Sequence, residues 1–283
     1  MYRSLVVFLA LLCSCQVWAS PRSWNSVPTR QKISLSLISN NYDYAEVWVP
    51  PGKSTENGWL FGVGLEYSFQ GGSSFPLWAH TQFDFSPSGT TYGSTETDPF
   101  GQVSDFTENT KDWFSRIEVD GGFTFYGVFG SNIDLTPYTG YGYRFWRRDL
   151  SNHNDLSGYR EEYSWSYVPV GLRSMIGRGA GWSVGLDVAA RIMVSGSIYI
   201  ALPQFSSPTL TLGNIAGWHV ALPVEYSSPW FWGAGMTFWY EYSGIGQSND
   251  SNPVVIGEQY AWIHEPPSRT HQFGLTLTWS FHF

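Results

Sequence analysis

The side chains that could do chemistry in this sequence are few and scattered. Gly181-Trp182-Ser183-Val184-Gly185 fits the G-x-S-x-G pattern of hydrolases. That pattern works through a strained strand-to-helix turn that lifts the serine hydroxyl into the open. Here it opens an alternating segment with no helix after it, which predicts a serine between small residues on a strand. His80 and Asp84 are four residues apart and share a face if their segment is a strand. The carboxylate could then orient the imidazole, or the two could simply satisfy polar groups. No Ser–His spacing singles out a nucleophile and its base, which would also need a third orienting group. No His-rich cluster or ligand spacing points to a metal, and no cofactor is expected.

A larger set carries more information. Glu66, His80, Asp84, Arg116, Glu118, Asp120, Arg144, Arg160, Glu162, Asp187, Arg191, Glu225 and Glu241 all fall on the polar phase of alternating segments. Ten such segments occur. Trp59, Phe61, Val63, Leu65, Tyr67 and Phe69 alternate with Gly62, Gly64, Glu66 and Ser68. Ile117, Val119, Phe123 and Phe125 alternate with Arg116, Glu118, Asp120 and Thr124. Tyr163, Trp165 and Tyr167 are read as the apolar phase opposite Arg160, Glu162, Ser164 and Ser166. Period two means strands with two distinct faces.

The elements that position these charges follow from the same pattern. Aromatic residues are 18% and charged residues 13% of the 283 residues, against about 25% charged in an ordinary globular domain. Yet mean hydropathy is slightly negative, so apolar character is concentrated on one face. Transmembrane barrels have that composition, with apolar residues toward lipid, polar residues toward the lumen and aromatic girdles at both interfaces. An Arg or Lys facing mid-bilayer lipid costs about 2–4 kcal/mol, so the polar phase is assigned to the lumen. Closure into a barrel is required because unpaired backbone in hydrocarbon costs several kcal/mol per group. The expected fold is all-β, a closed antiparallel transmembrane barrel of ten strands, with eight or twelve as alternatives.

The connections alternate in length. Residues from about 40 to 57, 87 to 112, 149 to 158, 196 to 213 and 243 to 269 are read as long loops, and those near 70–74, 127–133, 175–181 and 226–230 as short turns. Barrels of the bacterial outer membrane place long loops outside and short turns in the periplasm. Both termini are therefore expected on the periplasmic side. Pro76, Pro137, Pro169 and Pro223 are expected at strand ends, since proline lacks the N–H a ladder needs. The long loops are acidic and aromatic, with Asp43, Glu46, Glu108 and Asp112 among them. They are read either as solvated loops, with divalent cations bridging to lipopolysaccharide, or as a surface site for an unnamed ligand.

The N-terminus sets the compartment. Met1-Tyr2-Arg3 carries one charge, Leu5 to Leu12 is nearly all apolar, and Val17-Trp18-Ala19 ends on a small residue. That is the order of a secretory signal, and its apolar run is too short to span a bilayer as a helix. Leu12-Cys13-Ser14-Cys15 also admits a degenerate lipoprotein cleavage site. The expected organisation is a signal peptide over 1–19, a periplasmic segment over 20–31 and the barrel over 32–283. Cys13 and Cys15 are the only cysteines, so the chain after residue 19 has no thiol nucleophile and no disulfide framework. A net charge of −8 argues against nucleic acid as a partner.

The last segment carries the sharpest resemblance. Phe273-Gly274-Leu275-Thr276-Leu277-Thr278-Trp279-Ser280-Phe281-His282-Phe283 ends on an aromatic residue in phase with the others. It resembles the C-terminal signal of Gram-negative outer-membrane barrels, with Phe273, Gly274, Leu277, Trp279, Phe281 and Phe283 in the positions the barrel assembly machinery reads. Pro137-Tyr138-Thr139-Gly140-Tyr141-Gly142-Tyr143-Arg144, Gly158-Tyr159-Arg160 and Tyr167-Val168-Pro169-Val170-Gly171-Leu172 resemble a group of small outer-membrane barrels without assigned activity. The resemblance implies outer-membrane lipids and lipopolysaccharide as surroundings. The size also resembles the omptin proteases, whose Asp-x-Asp and Asp-x-His pairs activate a water. The matching place here reads Asp84-Phe85-Ser86, with one acid, and residues 196–213 hold neither Asp nor His. The leading expectation is a non-enzymatic outer-membrane protein, structural or surface-binding, with a mostly plugged lumen. The alternatives are a narrow channel for small solutes and an outer-membrane hydrolase, omptin-like or lipid-modifying.

Overall fold

The computed structural model describes residue 27 and residues 29–46, 54–97, 102–128, 132–150, 158–177, 180–202, 207–251, 253–256 and 259–283. The signal expected over 1–19, and most of the segment expected over 20–31, lie outside these residues. The strands in chain order are β1 Arg30–Glu46, β2 Ser54–Gln70, β3 Leu77–Thr97, β4 Val103–Phe123, β5 Ile133–Asp149, β6 Arg160–Ile176 and β7 Gly181–Ala201. There follow β8 Thr209–Thr211, β9 Gly213–Asn214, β10 Ala216–Ser227, β11 Trp232–Gly246, β12 Val254–Ile256, β13 Gln259–Ala261 and β14 Ser268–His282.

Ten of these close a ring: β1 to β7, then β10, β11 and β14, which returns to β1. All the pairings are antiparallel. The seam runs from Lys32 opposite His282 to Glu46 opposite Ser268. Beyond it Gln31 and Phe283 exchange backbone bonds of 3.2 and 3.1 Å. β8 and β9 lie outside the ring and continue the line of β10, pairing with the far ends of β7 and β11. β12 and β13 form a separate hairpin. β1 begins at Arg30, two residues before the boundary read from alternation.

The outward phase is an apolar belt: Leu37 is 64% exposed and Phe61 61%. Aromatic residues edge it. Tyr67, Phe123, Trp182 and Trp279 lie toward the short turns, and Trp59, Trp113, Trp218 and Phe273 toward the long connections. Trp232 stacks on Trp279 at 5.5 Å, and Trp59 meets Phe273 edge-on at 6.1 Å. The ten-strand ring and its apolar outside agree with the sequence pattern.

Beyond the belt the pattern inverts. Tyr42, Tyr44, Leu60, Trp146, Tyr163, Ile198, Leu210 and Ile245 point inward and pack into one core. A bulge helps to make the change. Ser195 of β7 pairs with Ser166, but Met193 pairs with Tyr167, which leaves Val194 extra. One added residue reverses the phase of a strand, so Ile192 faces out while Ile198 and Ile200 face in.

Two expectations about elements are corrected. Two of the long loops are largely ladder and a third partly so: β1 and β2 run to Glu46 and from Ser54, β3 and β4 pair continuously from Leu77 opposite Phe123 to Thr97 opposite Val103, and β7 runs on to Ala201, while most of 149–158 lies outside the described residues. Once the outward residues meet water they no longer need to be apolar, so alternation stops where pairing does not. Pro76 sits just before β3, as expected, but Pro137, Pro169 and Pro223 sit inside strands rather than at their ends. Pairing skips Pro223 on the β7 side, Pro169 on the β5 side and Pro87 on the β2 side. A missing N–H is tolerated where one ladder is locally open. Beside Pro87, Ser88 fills the opening, its hydroxyl accepting from the Phe61 N–H at 3.0 Å.

Candidate functional site: the filled lumen

The lumen holds three tiers of polar side chains. The middle tier joins three arginines to three carboxylates. Arg116 donates to Asp84 through Nε at 2.9 Å. Arg191 meets Glu118 at 3.1 Å and also bonds Glu241. Arg144 pairs with Glu241, and Arg116 lies 3.5 Å from the same carboxylate. Glu241 is thus the hub for three guanidinium groups, with His219 Nδ1 3.4 Å away. Arg144 and Arg191 lie over the ring of Tyr167 at 5.3 and 5.5 Å, and the Tyr167 hydroxyl donates to Glu118. Space for that ring comes from Gly142, where a Cβ would fall 2.1 Å from it.

The tier toward the short turns sets Lys32, Arg173 and His80 against Glu66, Asp120, Asp187 and Glu225. Lys32 lies 3.4 Å from both Glu66 and Glu225, and Arg173 lies 3.4 Å from Glu225. Asp187 accepts from the Tyr138 hydroxyl at 2.7 Å. His80 stacks on Trp78 and contacts Asp120 at 3.3 Å and Glu66 at 3.7 Å. The imidazole is therefore oriented by Asp120 across the ladder, while Asp84 is held by Arg116 and by Gln82 at 3.0 Å. The expected His80–Asp84 pairing is corrected: residues opposite one another on adjacent strands are closer than residues four apart on one strand.

The tier toward the long connections is not balanced. Arg148 reaches Glu161 at 2.8 Å, Glu56 at 3.2 Å and Glu46 at 3.9 Å. Asp112 accepts from Trp146 Nε1 at 2.9 Å. The hydroxyls of Thr90 and Thr110 touch each other and both the Glu56 and Asp112 carboxyls. Two hydroxyls carry only two hydrogens for these five oxygen pairs, so a proton kept on the Glu56 carboxyl would supply one donor more. Burial outweighs the pull of Arg148, and with help from Asp112 it pushes the Glu56 carboxyl up to about 8. This tier lies beyond the belt, since the outward neighbours of Arg148 are Arg147 and Asp149, a surface ion pair.

Between the outer core and the tier toward the short turns is a cavity of about 210 Å³. Ser36, Thr276, Thr278 and Trp239 line one side, and Asp84, Arg116 and Arg144 the other. Trp239 fits because residue 274 is glycine, where a Cβ would fall 2.6 Å from the indole.

Of the residues expected in the lumen, Arg160 and Glu162 are corrected. They lie on the outer surface and pair with each other at 3.1 Å, with side chains 39% and 30% exposed. Tyr163, Trp165 and Tyr167 turn inward instead, against the expectation that they face out. Polar and aromatic residues alternate here with no apolar member, so phase alone misread the face. The acidic residues Glu46 and Asp112, expected in loops, belong to the inner tier. Lys32, Glu56, Arg148 and Arg173 were missed, although each shares the parity of an inward neighbour on its strand. Ser183 of the G-x-S-x-G segment lies in β7 with no helix after it. Phe273, Leu277, Trp279 and Phe281 of the last strand face out into the belt, and Phe283 is exposed at its end.

Compared with known proteins, the chain matches no family model, and no curated sequence matches it. Its fold is similar to that of the outer membrane protease OmpT from Escherichia coli. That alignment has a TM-score of 0.60 at 10% identity and covers 94% of this chain and 99% of that one. The outer membrane protein OprG from Pseudomonas aeruginosa aligns at a TM-score of 0.38 and 10% identity, over 91% of this chain and 97% of that one. A TodX deltaS2S3 mutant, a monoaromatic hydrocarbon channel, aligns at 0.41 and 9% identity, over 90% and 91%. The likeness to OmpT shows the fold, that of the outer-membrane β-barrels, and at this identity shows no activity.

Proposed function

We propose that this chain is an integral outer-membrane protein of a Gram-negative bacterium whose work is structural or surface-binding rather than catalytic. In this reading the termini and short turns are periplasmic and the extended strands stand outside the cell. The belt contacts outer-membrane lipids and lipopolysaccharide. Phe273, Gly274, Leu277, Trp279, Phe281 and Phe283 present the assembly signal during insertion. The observation that carries the reading is the filled lumen, where a charge-balanced ionic tier lies below an aromatic core. Buried ions are held only when paired, so these side chains brace the wall at the expense of a passage.

Planar-bilayer conductance of the refolded protein tests this. The wild type is expected to be silent and Arg144→Ala to show openings, because the loss frees Glu241 from one of its guanidinium braces. A second reading has its own observation. The cavity suits the chamber of a narrow solute channel in a closed state, and steady wild-type openings would replace the first reading with this one. A protease reading has less support: Asp84 is engaged by Arg116 and Gln82, and the acid two residues on is replaced by Ser86.

A further inference from the structure

Two arms of the β11–β14 connection fold over the unbalanced tier. Ser248 N–H donates to the Glu265 carbonyl at 3.0 Å, and Glu265 N–H donates to Ser248 Oγ at 2.8 Å. Ser251 N–H donates to the Ile263 carbonyl, and Ile263 N–H returns to Ser251 Oγ, both at 2.8 Å. Asn249 ties the first arm to β8, donating to the Thr211 carbonyl at 3.1 Å and accepting from the Thr211 N–H at 2.6 Å. Ile263 packs against the outer aromatic core. Glu265 is buried, and one of its oxygens accepts from the hydroxyls of Tyr163 at 2.9 Å and Tyr44 at 3.3 Å.

The titratable groups of the mouth that Glu265 enters come from β1 to β6, and Tyr44, Glu46, Arg148, Glu161 and Tyr163 act on it most directly. β1 brings Tyr42, Tyr44 and Glu46, β2 Glu56, β3 Tyr92, β4 Asp112, β5 Arg148 and β6 Glu161 and Tyr163, with Tyr159 just before β6. The arms themselves carry His264, 3.9 Å from Asp250, both largely exposed. Five carboxyls, Glu46, Glu56, Asp112, Glu161 and Glu265, thus share the mouth with the Arg148 guanidinium, which is already engaged by three of them. Four of the five are fixed on strands. Glu265 alone rides on a connection.

We infer that Glu265 is the latch of a proton-sensitive lid, closed while Glu265 keeps its proton and released when it loses it. The reasoning is electrostatic. Uncompensated buried charge is costly, and the cheapest relief is to move the one carboxylate not held by a ladder into water. Burial, then the charges of Glu161 and Glu46, push the Glu265 carboxyl well above its ordinary value, and burial also raises Glu161. The sign follows. A carboxyl whose value is raised when the lid is closed favours closure below the ordinary carboxylate range. That contribution is lost as pH rises through the raised value. The lid is closed in acid and opens toward alkaline pH.

The inference rests on the plugged-lumen reading, and its test separates the two. No cysteine follows Cys15, so in protein prepared from residue 20 onward spin labels at Trp262→Cys on the exposed lid arm and Lys111→Cys on β4 stand alone. Pulsed electron paramagnetic resonance in lipid is then recorded from pH 5 to pH 9.5, with conductance of the unlabelled protein in parallel. A single label distance in acid, a longer one growing in at alkaline pH, and loss of that growth in Glu265→Gln would support the latch. An unchanged distance throughout, or the same growth in Glu265→Gln, would overturn it. Wild-type openings at acid pH, with the lid closed, would instead sink the plugged-lumen reading and leave the latch standing.

Discussion

Glu241 accepts charge from Arg116, Arg144 and Arg191 inside the ring, and its loss would leave three guanidinium groups short of a partner. Breaking a buried pair costs about 3–5 kcal/mol because a charge is left uncompensated. Glu241→Gln is therefore expected to lower stability by about that amount in denaturant unfolding from lipid vesicles. Glu162→Gln, on the outer surface beside Arg160, is expected to change it by no more than about 0.5 kcal/mol. Equal losses for the two variants would refute the placement of the hub. The same contrast shows how far single residues were legible. Glu241 sits between apolar outward neighbours that fix its face, whereas Glu162 sits between residues of no clear preference.

Among the elements, β5 and β6 depend on paired vacancies and rings. Tyr167 lies over Gly142, and Tyr138 over Gly171, where a Cβ would fall 2.3 Å from the ring. Gly142→Ala must push the Tyr167 ring off Arg144 and Glu118, and overpacking of this kind costs about 1–3 kcal/mol. Gly121→Ala on β4 meets nothing within 4 Å and serves as the control. Folding yield into lipid, scored by the gel shift between folded and unfolded forms, is expected to fall for Gly142→Ala only. The glycines are visible in the sequence as small residues on the lumen phase. That each one receives a particular tyrosine from the next strand depends on register, which pairing fixes and a single strand cannot show.

For the whole molecule, the belt and the filled lumen invert an ordinary domain near the middle of each strand and restore it beyond. Leu37→Arg, in the belt, is expected to cost about 2–4 kcal/mol if the outward face meets hydrocarbon. The same charge at Asn57→Arg, beyond Trp59, is expected to cost little. Refolding into bilayers followed by urea titration measures both, and a tolerated Leu37→Arg would argue that the belt meets something other than lipid. The same inversion explains why the connections looked long. The apolar outward phase ends at the aromatic edge, while the ladder continues and buries its own core inside.

The sequence by itself determined the class of fold, the ten alternating segments and most of the inward charges. A period of two and the cost of charge in hydrocarbon leave little freedom within the belt. It did not determine the strand ends beyond the belt, the faces of Arg160, Glu162 and Tyr163, or which acid meets which base. Those were decided by closure of the ring, by the bulge at Val194 and by the stagger between neighbouring strands. Each of these brings together side chains far apart in the chain, such as Glu265 with Tyr44 and Arg191 with Glu118. Periodicity reports the face of a strand against its surroundings, whereas the partner across a lumen is set only when all ten strands are in register.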